Sequence, residues 1–370
     1  MNIPGFKLER YFAKYEFDVD YVLCGSDCES MTVAALLAME DGAEERFKSH
    51  WLGYTESQGS PSLRQEIALL YQEVEAEDIL VHTGAEEAIF LFMQAILEAG
   101  DHVVVQWPCY QSLAEVARSI GCRVSLWEVR EEAGWEPDMD ELQTMLKPET
   151  RALVVNSPHN PTGGLLSRET FDRITALAEA EGVLLFSDEV YRGTEHDPAD
   201  RLPAACDVTP NGVTLGVMSK TFGLPGLRIG WVASANQDVL SKMAALKDYT
   251  TICNSAPSEF LAEVALRHRG RIVAHNLDLI RSNLEFVEGL FSRYGHRIGW
   301  ARPKASPIAF PRLLAGDVED FCHRLVNQEG VLLLPGTLYD HPGNHFRIGF
   351  GRSNFEEGLV RLERFLEVER

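Results

Sequence analysis

Residues 215–231 have the sequence LGVMSKTFGLPGLRIGW, and the rest of the chain is organised around this stretch. The apolar run from Val213 to Met218 predicts a buried strand that ends at Ser219 and Lys220. A lysine in this place is unusual, because its hydrated amine has a reference pKa of about 10.4 and protein cores normally exclude it. Partial desolvation lowers the pKa of such an amine and frees its lone pair, which favours imine chemistry.

Arg228 follows Lys220 after a loop that glycine and proline interrupt. The spacing lets the loop fold back, so that the planar guanidinium lies beside the lysine and can hold a phosphate. An imine-forming lysine next to a phosphate-binding arginine predicts pyridoxal phosphate as a cofactor. From this stretch alone, a strand followed by a surface lysine and a turn remains an alternative.

Length and composition limit the classes of protein and partner. The 370 residues are enough for two domains, and 45% hydrophobic and 24% charged residues are typical of a globular protein. The 56 acidic residues exceed the 34 basic ones and give a net charge of −22. Nucleic acids and anionic membranes need basic surface, so we expect neither as a partner.

The seven cysteines are odd in number and scattered, which predicts reduced thiols in a cytoplasmic protein. Cys24 and Cys28 lack further ligands nearby, so we expect no metal site. Glu9 interrupts the N-terminal segment, and no run of about 18 apolar residues occurs. We therefore expect neither a signal peptide nor a membrane span.

Short apolar runs alternate with helical patterns through the first two thirds of the chain. The predicted strands are residues 78–82, 101–106, 123–128, 152–156, 183–187 and 212–219, and the predicted helices between them are 86–97, 112–119, 139–145 and 168–181. This alternation predicts an α/β fold with a mostly parallel central sheet, buried on both faces. Ligands of such sheets gather at the carboxyl ends of the strands.

The composition changes after residue 254. Helices are predicted at residues 258–267, 271–294, 318–329 and 354–368, with short strands at 308–311, 331–334 and 346–350. We therefore expect a large cofactor-binding domain at residues 45–255. An aromatic-rich N-terminal arm, within residues 1–44, joins residues 256–370 in a smaller α+β domain.

Several predicted strands end in turns with polar residues. The turn at 83–87 opens a helix, whose free N–H groups and dipole favour an anion. The turn at 156–164 has the sequence NSPHNPTGG, and Asp188 ends an apolar strand. A carboxylate in that position is costly unless it is paired, so we expect Asp188 to face a cation or a proton donor.

Together and in this order, these motifs resemble those of class I/II aminotransferases, the aspartate aminotransferase family of fold-type-I pyridoxal-phosphate enzymes. The resemblance runs from about Tyr54 to Arg347. The matching motifs are Tyr54 with Gly59, Leu63 and Arg64 (Y-x4-G-x3-L-R), Asn160–Gly163 (NPTG), Asp188 with Tyr191, Ser219–Lys220 with Arg228, and Phe346–Gly349 (FRIG). The resemblance implies the fold-type-I α/β architecture with a smaller α+β lobe.

The resemblance also implies roles for the catalytic residues Lys220, Asp188 and Tyr191. Lys220 would hold the cofactor as an aldimine (Schiff base) and then move the substrate's α-proton. Asp188 would pair with the pyridine nitrogen and keep it protonated. Tyr191 and Asn160 would donate to the phenolic oxygen of the ring, and Tyr110 would stack on the ring.

The remaining implied contacts hold the phosphate and the substrate. The phosphate would be bound by the turn at Gly84, Ala85 and Glu86, by Ser219 and Arg228, and by Tyr54 of a partner subunit, which makes a homodimer the expected unit. The substrate α-carboxylate would be clamped by Arg347, with Asn160 and Gly25 beside it.

Three features depart from the family pattern. Val217 and Ala85 lack the hydroxyl that many relatives use for a phosphate contact. The sequence shows no mark of a second arginine for a dicarboxylic side chain, which argues against aspartate as substrate. Asp27 or Glu29, near the expected substrate position, would instead favour a basic amino acid.

The sequence therefore predicts a homodimeric, cytoplasmic aminotransferase that moves an amino group between an α-amino acid and a 2-oxo acid. A β- or γ-eliminating lyase, or an elimination–cyclisation enzyme of amino-acid biosynthesis, remains an alternative, because these reactions begin at the same carbanion. A cofactor-binding regulator without catalysis is a weaker alternative, since the chain has no additional DNA-binding module or basic face.

Overall fold

The computed structural model describes residues 3–368, and these form a central seven-stranded sheet with helices packed around it. The helices are α1 (Lys7–Tyr15), α2 (Val33–Leu37), α3 (Ala43–Lys48), α4 (Pro61–Ala68), α5 (Gly84–Ile96), α6 (Ser112–Ile120), α7 (Met139–Met145), α8 (Arg168–Ala180), α9 (Ala205–Val208), α10 (Gln237–Lys247), α11 (Ala256–Arg267), α12 (Arg269–Arg293), α13 (Val318–Glu329) and α14 (Phe355–Val368). The strands are β1 (Tyr21–Val22), β2 (Ile79–His82), β3 (His102–Trp107), β4 (Arg123–Glu128), β5 (Thr150–Asn156), β6 (Leu184–Asp188), β7 (Gly212–Val217), β8 (Gly230–Ala233), β9 (Ile298–Gly299), β10 (Ile308–Ala309), β11 (Arg312–Leu313), β12 (Val331–Leu332), β13 (Leu334–Pro335) and β14 (Phe346–Gly349).

The strand order of the large sheet is β2-β8-β7-β6-β5-β3-β4. The pairs from β4 through β7 are parallel, whereas β8 is antiparallel to both of its neighbours, β2 and β7. The prediction of an α/β fold with a mostly parallel sheet is confirmed. As a result, β2, β3, β5, β6 and β7 all end at the same edge of the sheet, where β8 begins.

Apolar side chains cover both faces of this sheet. Val103 and Val105 of β3 pack in one core with α5 and α6, whereas Val104 points to a second core with α7 and α8. Full burial of one such side chain contributes about 1.5–3 kcal/mol. The continuous apolar strands therefore place the sheet between two helical layers and leave its carboxyl edge for polar residues.

The structure differs from the sequence-based expectations at several elements. The apolar run after Arg228 forms strand β8, and residues 237–247 form helix α10; neither element was predicted. The N-terminal arm contains helix α1, anchored by its buried Leu8. The predicted strand at 212–219 ends at Val217, because Met218 turns into the loop, where its carbonyl accepts from the Leu224 N–H at 3.0 Å.

A separate hydrophobic core joins α12, α13 and α14 with the short strands β12 and β14. Strand β1 pairs in parallel with β12, so residues 21–22 belong to this part of the molecule. Helix α11 packs against α4 beside the large sheet. The division into residues 45–255 and the remainder stays a prediction.

Two features of residues 3–368 concern membranes and metals. None of the helices there combines the length and the apolar character needed to cross a bilayer. In the same residues, no three His, Cys, Asp or Glu side chains lie together in a way that could hold a metal ion.

Candidate active site

A cavity of about 430 Å³ lies at the carboxyl edge of the large sheet. Nine residues predicted from the sequence line its wall: Ala85, Glu86, Tyr110, Asn160, Asp188, Tyr191, Ser219, Lys220 and Arg228. They come together because the strands end side by side. Asp188, the last residue of β6, is in register with Asn156, the last residue of β5, and Lys220 lies three residues after the end of β7.

Lys220 extends into this cavity from a partly buried position, and its Nζ donates a hydrogen bond to Ser26 Oγ at 2.8 Å. Burial lowers the pKa of this amine, and the nearby carboxylate of Asp27 opposes the effect. A lowered pKa increases the fraction of free amine near neutral pH, which is the form that attacks an aldehyde or accepts a proton.

Asp188 is buried, and its Oδ1 accepts a hydrogen bond from the Val190 N–H at 3.2 Å. Burial raises the pKa of this carboxyl to about 7, although the Val190 N–H and Lys220 lower it. A protonated ring nitrogen placed beside Asp188 would supply the cation that the buried carboxylate needs.

Tyr191 and Asn160 both direct polar groups into the cavity. Burial raises the pKa of the Tyr191 hydroxyl, Arg347 and the nearby Ser26 lower it, and no well-aligned hydrogen bond to this hydroxyl forms within residues 3–368. Asn160 Oδ1 accepts from the Tyr339 hydroxyl at 2.9 Å and from Arg347 Nη1 at 3.1 Å. Its Nδ2 group is therefore left to donate into the cavity. The two donors fit the phenolic oxygen of pyridoxal phosphate.

Asn156 fixes the positions of Asn160 and Asp188 relative to each other. Its Oδ1 accepts from the Asn160 N–H at 2.7 Å, and its Nδ2 donates to the Asp188 carbonyl at 2.9 Å. The role of Asn156 was not predicted, although its position at the carboxyl end of a predicted strand could have indicated a site residue.

The N-terminus of α5 and Arg228 form a cradle that suits a phosphate. Gly84 opens this helix with a φ of +81°, and a Cβ at this position would lie 2.5 Å from Arg228 Nη2. Glycine thus lets the guanidinium approach the free N–H groups of the helix. Ser219 supplies a hydroxyl, whereas Val217 and Ala85 line the wall without one, as the sequence predicted. The residues present fit pyridoxal phosphate.

Arg347 is 1% exposed and lies behind Asn160, outside the cavity wall. Its Nε and Nη2 donate to the Cys24 carbonyl at 3.1 and 2.7 Å, and its Nη1 also bonds the Tyr339 hydroxyl. These partners are all neutral, so a substrate carboxylate would provide the missing counter-charge. Gly25 is also buried and follows Cys24, which places it beside this group without lining the cavity.

The family model for aminotransferase class I and II matches residues 22–361. The chain belongs to this family. The membership confirms the predicted family, fold type and cofactor, and with them a pyridoxal-phosphate-dependent enzyme that moves an amino group between an α-amino acid and a 2-oxo acid.

Individual relatives resemble this aminotransferase along its whole length. Capreomycidine synthase from Streptomyces vinaceus is 30% identical over 366 residues, which cover 97% of this chain and 93% of the relative. The crystal structure of a PLP-dependent aminotransferase from Streptococcus suis superposes with a TM-score of 0.94 at 30% identity, covering 100% of this chain and 99% of the other. The PLP-dependent cyclase OrfR superposes with a TM-score of 0.91 at 30% identity and the same coverage.

Two sets of predicted site residues lie elsewhere in this aminotransferase. Tyr54 is 84% exposed and lies outside the cavity wall. Both carboxylate oxygens of Asp27 accept from Arg352 Nη2 at 2.9 Å, and Glu29 accepts from the N–H and hydroxyl of Ser353. Because other residues already bind them, Asp27 and Glu29 are poor candidates for holding a basic substrate.

Phe6 and Glu9 are among the wall residues of the aminotransferase that were not predicted. Phe6 and Glu9 reach the cavity from the start of α1. The Tyr110 hydroxyl donates to Glu9 Oε1 at 2.9 Å, and the rings of Tyr110 and Phe6 are 4.9 Å apart. The aromatic-rich N-terminal arm was the one sequence feature that could have indicated these residues. Its position over Tyr110, however, depends on tertiary packing.

Proposed function

We propose that the chain catalyses transamination in the cavity between Lys220 and Asp188, with Lys220 Nζ moving the proton of the substrate's α-carbon. The observation that carries this proposal is that a partly buried amine and a buried carboxyl line the same cavity. When bound, pyridoxal phosphate supplies an aldehyde that condenses with amines and a ring that draws electrons from the α-carbon.

The residues around the cofactor have separate roles in this proposal. Asp188 holds a proton at the ring nitrogen, and Tyr191 and Asn160 donate to the phenolic oxygen. Tyr110 covers one face of the ring. The phosphate is held by the backbone of Gly84, Ala85 and Glu86 and by the side chains of Ser219 and Arg228.

The substrate carboxylate binds toward Arg347 in this proposal. The buried guanidinium has neutral partners, so an anion that reaches it gains charge-assisted hydrogen bonds. Asn160 and Gly25 border the same position. This orientation presents the α-proton to Lys220 and supplies much of the proximity gain.

We also propose a homodimer in which Tyr54 completes the partner's phosphate site. An apolar surface patch of Trp51, Leu52, Tyr54, Tyr249 and Ile252 supports this, since these side chains are between 53% and 88% exposed. Such a patch marks an interaction surface.

The position of the patch explains why Tyr54 would act in the other subunit. Ser57 Oγ donates to Asp248 at 3.2 Å, which joins the two segments that carry the patch. Thr250 and Thr251 donate to Glu87 of α5, so the patch continues to the phosphate-binding turn. In a two-fold dimer the patch meets its own copy, and each Tyr54 approaches the turn of the partner.

A cytoplasmic location is part of the proposal. All seven cysteines are free thiols, six of them buried, which is typical of proteins kept in a reducing compartment.

The test of the reaction uses the Lys220→Ala variant. The variant should lose the visible absorbance of the bound cofactor and at least about a thousandfold of the rate of 2-oxo acid formation, because it lacks both the imine-forming amine and the base. Lys242→Ala, an exposed lysine on α10 paired with Asp238, is the matched control. Activity that survives in Lys220→Ala would contradict the mechanism.

The second candidate function is elimination followed by cyclisation. Similarity to capreomycidine synthase over 97% of this chain, and to the OrfR cyclase, favours it. A single-turnover mixture with an amino acid separates the two. Transamination leaves the amino group on the cofactor as pyridoxamine phosphate and releases a 2-oxo acid, whereas cyclisation returns the cofactor unchanged and yields a cyclic amino acid.

A further inference from the structure

Helix α1 brings one carboxylate, that of Glu9, to the cavity from outside the sheet. The helix is fixed by hydrogen bonds at its start, where the Lys7 N–H donates to Gln111 Oε1 at 2.9 Å and Gln111 Nε2 donates to the Gly5 carbonyl at 3.1 Å. The Tyr110 hydroxyl then holds Glu9 Oε1 at 2.9 Å. Glu9 is exposed, and the hydrogen bond from Tyr110 together with the anchored start of α1 positions its carboxylate at the cavity.

The same helix also runs past the group that binds the substrate carboxylate. The ring of Phe12, three residues after Glu9, lies 5.9 Å from the guanidinium carbon of Arg347. A substrate held by Arg347 would thus extend its side chain beneath α1. The Glu9 carboxylate also acts electrostatically on Lys220 and on Glu86, so it faces the reacting amine as well as the helix that begins at the phosphate-binding turn.

The other charged groups around the cavity have partners or assigned roles. Asp27 pairs with Arg352, and Glu86 accepts from Ser112 Oγ at 3.0 Å next to the phosphate-binding turn. Asp188 is assigned to the ring nitrogen, Lys220 to the reaction, Arg228 to the phosphate and Arg347 to the α-carboxylate. Glu16 adds a further negative charge near Asp27 and Glu9.

We propose that Glu9 selects amino acids whose side chain ends in a cation, such as a guanidinium or an ammonium group. The inference rests on the proposed function and names its substrate class. A cationic side chain would donate a charge-assisted hydrogen bond to Glu9 Oε2, whereas a dicarboxylic substrate would place like charges together.

The first test compares substrate pairs that differ in charge at nearly equal size. Citrulline replaces the guanidinium of arginine with a neutral ureido group, and norleucine lacks the ammonium of lysine. The wild type should prefer the cationic member of at least one pair by about tenfold or more in kcat/KM, the effect of one charged hydrogen bond. Glu9→Gln keeps an acceptor for Tyr110 and should lower that preference about tenfold.

Two control variants separate charge from structure. Glu9→Asp keeps the charge and should keep part of the preference. Glu179→Gln removes an exposed glutamate of α8, far from the cavity wall, and should keep the preference in full.

A second readout does not depend on turnover. 5-Guanidinopentanoate and 5-ureidopentanoate lack the α-amine, so calorimetry gives their dissociation constants without reaction. The wild type should bind the guanidino compound about tenfold more tightly, and Glu9→Gln should bind both alike.

The outcomes separate a failure of this inference from a failure of the proposed function on which it rests. If no amino acid changes the cofactor absorbance, the proposed function is wrong, while the two dissociation constants still decide the role of Glu9. If amino acids react but the wild type shows no preference for cations, or if Glu9→Gln leaves the preference intact, the inference is wrong.

Discussion

Tyr339 joins the two groups that we assign to the substrate carboxylate. Its hydroxyl donates to Asn160 Oδ1 and also bonds Arg347 Nη1, at 2.9 and 2.6 Å. Tyr339→Phe should therefore raise KM for the amino acid about tenfold, the effect of one hydrogen bond to a charged group, with a small change in kcat. Steady-state kinetics with a saturating 2-oxo acid measure the changes in KM and in kcat separately.

The control for this change is Tyr15→Phe, at the far end of α1. It should leave both constants close to those of the wild type. A fall in kcat at constant KM in Tyr339→Phe would contradict the assignment, since it would place the interaction in the transition state alone.

Glu86 gives the cofactor site a pH dependence. Burial raises the pKa of this carboxyl to about 7, although Ser112 lowers it by donating a hydrogen bond. Below pH 7 the carboxyl is mostly neutral, and above pH 7 it is an anion beside the phosphate-binding turn. Wild-type affinity for pyridoxal phosphate should therefore fall relative to that of Glu86→Gln as the pH rises from 6 to 8.

The measured quantity is the ratio of the two dissociation constants, wild type over Glu86→Gln, by absorbance titration at each pH. The ionisation of the phosphate itself cancels in this ratio. We expect a rise of about tenfold at most, because the neutral fraction of a group with a pKa of 7 falls roughly tenfold over that range. A flat ratio would show that Glu86 does not act on the phosphate.

Two constraints require glycine at position 84 in the strand-to-helix turn, and alanine would violate both of them. The φ of +81° is costly for a residue with a side chain, by about 1–3 kcal/mol. The added Cβ would also displace Arg228 Nη2, which lies 2.5 Å from its position. Gly84→Ala should therefore lower both the free energy of unfolding and the affinity for pyridoxal phosphate, the latter by about tenfold or more.

Gly270→Ala is the matched control, because nothing lies within 4 Å of a Cβ at that position. Thermal unfolding and cofactor titration measure the two effects of Gly84→Ala. An unchanged cofactor affinity with lowered stability would mean that Arg228 moves aside without loss and does not hold the phosphate.

Apolar periodicity predicted the parallel strands of the sheet to within two residues, since strands buried on both faces are continuous apolar runs. Lys220, Asp188 and Asn160 were predictable for the same reason, because each follows such a run. Strand β8 was not, because its place between β2 and β7 depends on pairing across about 150 residues of sequence. Glu9 and Tyr339 were also missed, since their partners Tyr110 and Asn160 are more than 100 residues away.

The exposed patch around Tyr54 bears on whether a single chain can form a complete phosphate-binding site. Within residues 3–368 of a single chain, the phosphate cradle consists of the α5 N-terminus, Ser219 and Arg228. An isolated chain would bind the phosphate with these groups alone. In the proposed dimer, the hydroxyl of the partner's Tyr54 adds a donor, so cofactor affinity depends on assembly.

Mixed dimers test this dependence. Tyr54→Phe alone should weaken cofactor binding about tenfold, because one hydrogen bond to the charged phosphate is lost, and Lys220→Ala alone should be inactive. A heterodimer of the two variants contains one site with an intact Lys220 from one chain and an intact Tyr54 from the other. Purified heterodimers, made by co-expression with two tags, should therefore show half of the wild-type activity with wild-type cofactor affinity. If Tyr54 acts within its own chain, every active site in the heterodimer carries the substitution, and titration with pyridoxal phosphate would give only the weakened affinity.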